Sequence, residues 1–190
     1  FPENNLDTVK IESIISEASG TNIDLADLYM QYTTVESWTC EDGIVKNGSQ
    51  HIDSGYGIRS ISNEKTGFSY GNNFSFEEIV KASKLSKSIV QSDSPKSLKL
   101  KEYSNFKKLY ISDSPLTSVT DDRKVDFLKQ MNKYIKNKDK RVQQVIINLS
   151  ASFDSIFVAN SLGTFSFDDR PLVRFNVMVI LKSGDRLERG

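Results

Sequence analysis

The chain is poor in the residues that most often carry chemistry. Its 190 residues include one histidine, one cysteine, one tryptophan and three methionines. A disulfide framework needs paired cysteines, and Cys40 stands alone. A structural zinc site takes about four Cys or His ligands, and the chain holds two such residues in all. A HExxH peptidase site needs two histidines on one helix face, which a single His51 excludes. Neither sign of charge is in excess. The 25 Lys and Arg balance 25 Asp and Glu, so no global field draws nucleic acid or an anionic membrane. Long apolar runs are missing too: Val177–Leu181 falls far short of the ~20 residues a membrane span needs. The opening Phe1-Pro2-Glu3-Asn4-Asn5 has no signal-peptide pattern, and Phe1 where a Met would start the chain points to a trimmed beginning. A lone cysteine without an export signal points to the cytoplasm, and the Asn-x-Ser triplets at Asn47, Asn73 and Asn148 then carry no glycan.

What is present suffices for a packed core. Hydrophobic residues make up 37% and aromatics 10%, as in globular proteins. A chain of this length buries roughly 70% of its unfolded surface. The patterns read as helices followed by runs of hairpin-linked strands, which predicts an α+β fold with helices on antiparallel sheet, in two segments. A first helix has Asp7 as its cap, Ile11, Ile14, Ile15 and Ala18 as its apolar stripe, and Gly20 as its stop. Alternation from Leu25 to Cys40 predicts a strand. Asp42-Gly43 predicts a hairpin, Ile44–Lys46 a short return, Asn47-Gly48 a further turn, and His51–Ser62 another strand. Gly55 and Gly57 in that strand suggest a bulge or a close backbone approach. Phe68–Tyr70 makes a last short strand.

Ser75 and Glu78 form a capping box, with Phe74 and Ile79 at the staple positions, and open a helix running to about Val90. Its inner face is expected to be Ile79, Ala82, Leu85 or Ser86, and Ile89. Two prolines and many serines over Ser92–Thr120 mark a boundary. The division is therefore 1–93 as an N-terminal α+β domain, 94–119 as a linker, and 120–190 as the start of a middle domain. Thr120 caps a third helix with Asp121 and Asp122 in its first turn and Val125, Leu128, Met131 and Ile135 as its stripe. Strands are expected at Val142–Phe153, Ser155–Ala159, Thr164–Phe167 and Leu172–Leu181, with Pro171 just before the last. Val173, Phe175, Val177 and Val179 alternate with Arg174, Asn176 and Met178, the sign of a sheet with one packed face.

Candidate chemistry is sparse. His51 and Asp53 share one side of an extended segment, but no Gly-x-Ser-x-Gly elbow accompanies them, so His51 reads as an ordinary strand residue. Gly55-Tyr56-Gly57 begins a GxGxx pattern yet continues as strand where a dinucleotide site opens a helix. Lys129, Lys133, Lys136 and Lys140, with Arg141, share a helix face and read as a solvated surface; nucleic acid is not expected as a partner. Cys40 reads as a small buried residue. Glu36, Glu41 and Asp42 read as turn and edge residues. No catalytic, metal-binding or substrate-binding residue is identified from the residues themselves.

An ordered set of residues nevertheless resembles one family. Asp27-Leu28-Tyr29 with Gln31, Glu36-Ser37-Trp38, Glu41-Asp42, Ile44, Lys46, Gly48-Ser49 and Ile52-Asp53 look like the N-terminal region of the TldD/PmbA family. Gly55-x-Gly57-x-Arg59 and Ser62-x-Glu64-Lys65-Thr66-Gly67-Phe68-x-Tyr70 continue it. Lys140-Arg141-Val142-Gln143, Arg170-Pro171-Leu172-Val173-Arg174 and Glu188-Arg189-Gly190 follow in the same order. The resemblance implies the N-terminal part of a cytoplasmic zinc metallopeptidase that degrades unfolded peptides. It also implies a dimer, with a PmbA/TldE-type subunit or with itself, in a family described as modulating DNA gyrase. The family's HExxxH zinc motif follows a glycine-rich stretch that would begin near Gly190. No position here matches that motif, so the chain is expected to bind no zinc and to be inactive by itself. The expected role is a wall of the peptide chamber and part of a subunit interface, with Leu172–Leu181 shaping a sheet edge. The alternative is a free-standing interaction module without peptidase activity.

Overall fold

The computed structural model describes residues 6–90 and 110–190. Three helices, α1 (Thr8–Ala18), α2 (Phe76–Val90) and α3 (Asp121–Lys138), accompany six strands. The strands are β1 (Leu25–Glu41), β2 (Ile44–Ser62), β3 (Lys65–Gly71), β4 (Val142–Asn160), β5 (Phe165–Ser183) and β6 (Arg186–Arg189). They form one sheet in the order β3-β2-β1-β4-β5-β6. The α+β architecture is the predicted one. The linker expected at 94–119 lies outside the described residues as far as 109.

By internal contacts the chain divides into two compact units. Of the described residues, unit 1 takes 6–33, 53–90, 110 and 154–169, and unit 2 takes 34–52, 111–153 and 170–190. β1, β2, β4 and β5 are thus long strands contributing residues to both. Their length is the main departure from the predicted elements. Asn47-Gly48 is not a turn: β2 runs unbroken from Ile44 to Ser62. The physical reason is Trp38, whose ring occupies the space over Gly48, so that a Cβ there would lie 2.8 Å from it. The glycine provides room for a ring on the neighbouring strand. Asp42 and Gly43, by contrast, are both left-handed (φ 49° and 83°), as a tight hairpin requires.

Likewise β4 is continuous through Asp154, and β5 runs straight through Pro171. β6 pairs only with Ile180–Ser183, so Pro171 has no β6 neighbour to which an N–H would be owed. Leu172–Leu181 does not pack one face as expected. Leu172, Val173, Phe175 and Val177 are all exposed, and Phe127 of α3 meets Phe175 ring to ring at 5.5 Å.

Unit 1 holds the larger core. α1 is capped as predicted, the Asp7 carboxylate accepting the Lys10 N–H at 2.8 Å, and it buries Ile11, Ile14, Ile15 and Ala18. It ends at Ser19 rather than Gly20, because the Ser19 hydroxyl and amide both bond back to the Ile15 carbonyl. These residues pack with Leu28, Met30, Ile58, Phe74 and Ile79. In α2 the Ser75 hydroxyl accepts the Glu78 N–H at 3.3 Å, but the Glu78 carboxylate turns to Lys81 at 2.6 Å instead of closing the capping box. The buried face of α2 is Ile79, Ala82, Ser83, Ser86 and Val90, while Leu85 and Ile89 are exposed. The helix lies close against β3, where a Cβ at Gly67 would overlap the Ser86 carbonyl, and the buried hydroxyls of Ser60 and Ser86 meet at 2.9 Å.

Unit 2 has a smaller core of Cys40, Leu128, Val145 and Ile147, flanked by Trp38, Met131 and Ile135. α3 buries Lys124, Leu128 and Asn132. Thr120 sits at its N-cap with extended backbone but makes no side-chain cap bond. The predicted stripe is rotated: Val125, Met131 and Ile135 are half-buried, and the innermost row carries a lysine and an asparagine.

Candidate functional site

A groove of about 740 Å³ opens on unit 1, lined by residues of β1, β2 and β3 and the segment just after β3. Strand alternation builds it. Ala26, Leu28 and Met30 of β1, and Tyr56, Ile58 and Ser60 of β2, point into the core. The intervening Tyr29, Gln31 and Thr33, and Asp53, Gly55 and Gly57, line the groove. β3 adds Phe68 and Tyr70, whose rings stack at 6.0 Å. The register sets Gly57 opposite Tyr70 and Arg59 opposite Phe68. Gly57 is a floor: a Cβ there would lie 3.0 Å from the Phe68 ring. The close approach expected at Gly55 and Gly57 is therefore present, to the Gly71 carbonyl at Gly55 and to the Phe68 ring at Gly57. Tyr70 is 79% exposed and Phe68 55%.

Hydrogen bonds hold the β1 side of the groove. The Tyr29 hydroxyl donates to Gln31 at 2.8 Å, and the Gln31 amide donates to Thr33 at 2.9 Å. Thr33 and Gln31 both donate to the Asp154 carboxylate, at 2.5 and 3.3 Å. Arg59 is held by Asp27 at 2.6 Å. The carboxylate of Asp53, which lines the groove, has no hydrogen bond or ion pair among the described residues.

The other sequence candidates are scattered. His51 is exposed on β2. Cys40 is fully buried, and burial pushes its thiol up, so it is not an activated nucleophile. Glu36 is not an edge residue, because β1 is internal to the sheet. It is nearly buried, accepts the Trp38 indole N–H, and pairs with Lys124 at 2.8 Å. Glu41 accepts from Gln144. Asp42 is held below the usual carboxylate range, chiefly by its hydrogen bond with Lys136 at 2.8 Å. Lys136 is thereby removed from the basic face, while Lys129, Lys133 and Lys140 remain exposed.

Arg141 is engaged by Asp139. Its side-chain hydrogen bonds, and then its backbone N–H, hold Asp139 at about pKa 2 against 3.8. A depressed carboxylate stabilises the fold above its unfolded pKa, and that contribution is lost as pH falls through about 2. In Arg141→Ala, carboxyl-carbon NMR should show the Asp139 midpoint return toward the ordinary value. A midpoint still near 2 would show that Arg141 is not the cause.

Among the described residues no three His, Cys, Asp or Glu side chains come together as a metal would require. No helix among them is long and apolar enough to cross a membrane. The groove went unrecognised in the sequence because its markers are ordinary: two aromatics two apart on one strand, and two glycines two apart on the next.

Comparison with known proteins places the chain. Residues 26–89 match the family model of PmbA/TldA metallopeptidase domain 1, and 114–190 that of the PmbA/TldA metallopeptidase central domain. The chain is 35% identical over 190 residues to a metalloprotease TldD homolog of Buchnera aphidicola subsp. Schizaphis graminum, and 34% identical over 188 to one of Haemophilus influenzae. These alignments take in 99% and 98% of this chain and 39% of each relative, so the chain spans about two fifths of their length. The fold is similar to that of a candidate modulator of a DNA gyrase from Thermotoga maritima (TM-score 0.75, 15% identity, 96% of this chain and 41% of that one). It is also similar to TldE from Thermococcus kodakarensis (TM-score 0.73, 17% identity, 94% of this chain and 40% of that one). With both domain models matched in order and relatives aligned along nearly its whole length, the chain belongs to the PmbA/TldD metallopeptidase family.

Proposed function

We propose that this chain is a non-catalytic portion of a TldD-type zinc metallopeptidase that degrades unfolded peptides, and that the groove of unit 1 holds an extended stretch of substrate. The exposed rings along the groove carry this reading. An extended segment of varied sequence needs contacts tolerant of side-chain identity, which the faces of Tyr29, Phe68 and Tyr70 provide. The described residues do not fit zinc: His51 is exposed, Cys40 is buried, and neither belongs to a group of three or more His, Cys, Asp or Glu side chains. In this reading the zinc is held by other parts of the complete subunit. In this reading the subunit works in the cytoplasm, paired with a TldE-type subunit or a second copy, and the exposed Val173, Phe175 and Val177 suit that interface.

The test is binding of a fluorescein-labelled, end-blocked unstructured peptide, read by anisotropy. Gly57→Val should weaken binding at least about tenfold, because its side chain displaces Phe68, with the circular dichroism spectrum unchanged. Unaltered affinity in that variant would remove the groove from the substrate path. The 190-residue chain should show no chelator-sensitive peptide cleavage.

A further inference from the structure

We infer that the groove selects basic peptide segments, taking a lysine or arginine side chain, or an N-terminal ammonium, against its rings. The inference rests on the reading of the groove as a peptide site and goes beyond it by naming the side chain recognised. Three observations converge on it. The lining includes the aromatic side chains of Tyr29, Phe68 and Tyr70, all exposed at 40% or more, with the last two stacked. Aromatic faces carry negative quadrupole density and attract ammonium and guanidinium groups. The charged residue among the lining side chains is Asp53, and no lysine or arginine is among them. Its carboxylate has no partner among the described residues, so it is free to meet an incoming cation without first breaking an ion pair.

The surroundings keep the groove negative. Arg59, beyond Phe68, is the nearest guanidinium along β2, and Asp27 neutralises it at 2.6 and 3.0 Å. Asp154 adds a second carboxylate behind Thr33, held by hydroxyl and amide donors and not by a cation. An acidic segment would therefore meet uncompensated repulsion, and a neutral one would forgo both the rings' electrostatic attraction and Asp53. A basic segment gains both. A nucleic acid strand could use the rings but would bring phosphates to Asp53 and Asp154, so the peptide is the occupant that charge favours.

The experiment uses three end-blocked, unstructured eight-residue peptides differing at one central position: lysine, norleucine or glutamate. Norleucine keeps the methylene chain and removes the charge. Binding to the wild-type chain, Asp53→Asn and Tyr70→Leu is measured by titration calorimetry at low and moderate salt. The lysine peptide should bind about five- to thirtyfold tighter than the norleucine peptide, and the glutamate peptide weakest. The lysine advantage should shrink in both variants while norleucine binding holds in Asp53→Asn. Both positions are exposed, so unchanged thermal melting will show that the fold is intact. Equal binding of the lysine and norleucine peptides, with Gly57→Val abolishing both, would overturn the cation preference and leave the peptide groove standing. Failure of all three peptides to bind would overturn both. A lysine advantage undiminished in Asp53→Asn would overturn the assignment to this groove.

Discussion

Gly67→Ala should cost about 3 kcal/mol of stability, although it adds a single methyl group. A Cβ at Gly67 would fall 1.9 Å from the Ser86 carbonyl oxygen and 2.9 Å from its carbon. Both are backbone atoms of α2, so no side-chain rotation relieves the overlap and the helix itself must move. Moving it disturbs a seam of small groups. The Ser60 hydroxyl reaches the Ala18 carbonyl at 2.8 Å and the Ser86 hydroxyl at 2.9 Å, and Ser83 bonds the Ile79 carbonyl at 3.0 Å. All these serines are buried, and a shift of α2 strands hydroxyls away from water. Gly57→Ala is the control. Its Cβ would meet the far end of the Phe68 ring, which can swing outward, so the cost should stay below about 1 kcal/mol. Urea unfolding of the two variants measures the difference. Equal, small losses would show that α2 can retreat from β3 at little cost.

Lys124→Ala should cost about 3–5 kcal/mol, the range for removing one partner of a buried pair. Lys124 is 6% exposed and its ammonium is fully engaged: Glu36 at 2.8–2.9 Å, the Leu116 carbonyl at 2.9 Å and Asp121 at 3.2 Å. Without it, Glu36 keeps a charge in a nearly dry site with only the Trp38 N–H to satisfy it. The combined change Lys124→Met with Glu36→Leu should recover most of the loss, since it removes both charges and keeps the volume. A double variant no more stable than Lys124→Ala would show that the pair is held for its attraction and not merely to avoid an orphaned charge. The pH dependence has a definite sign. Burial works against the ammonium, but Glu36 and Asp121 more than offset it, so the pKa is raised above 10.5. A raised pKa stabilises the fold fully below the unfolded value, and the contribution is lost as pH rises through the folded one. Alkaline sensitivity above about 10.5 should therefore diminish in the double variant.

Local signals, unlike these two sites, were legible in the sequence. The N-cap and apolar stripe of α1, the Asp42-Gly43 hairpin and the opening of α2 at Ser75 depend on residues within a turn or two, and those signals survive folding. The strands of unit 1 could be read because alternation is a local property. Family membership was legible for a different reason: many weak positions in a fixed order add up, although each is unspecific.

Interiors were harder to read. Nothing near Leu85 and Ile89 reveals that they face outward. That depends on Gly67, eighteen and more residues away, which lets α2 lie close against β3 with Ser83 and Ser86 on its buried face beside Ile79 and Val90. Nothing near Lys124 reveals that it turns inward, because its carboxylate sits on β1, 88 positions earlier. Asn47-Gly48 has the composition of a turn, and only the Trp38 ring lying across it explains the unbroken strand. The groove belongs to the same class, since its rings come from β3 and β1 and its floor from β2. Periodicity and capping are written along the chain. Close approach, charge pairing and concavity arise between distant segments, and they exist only once the sheet has set its register.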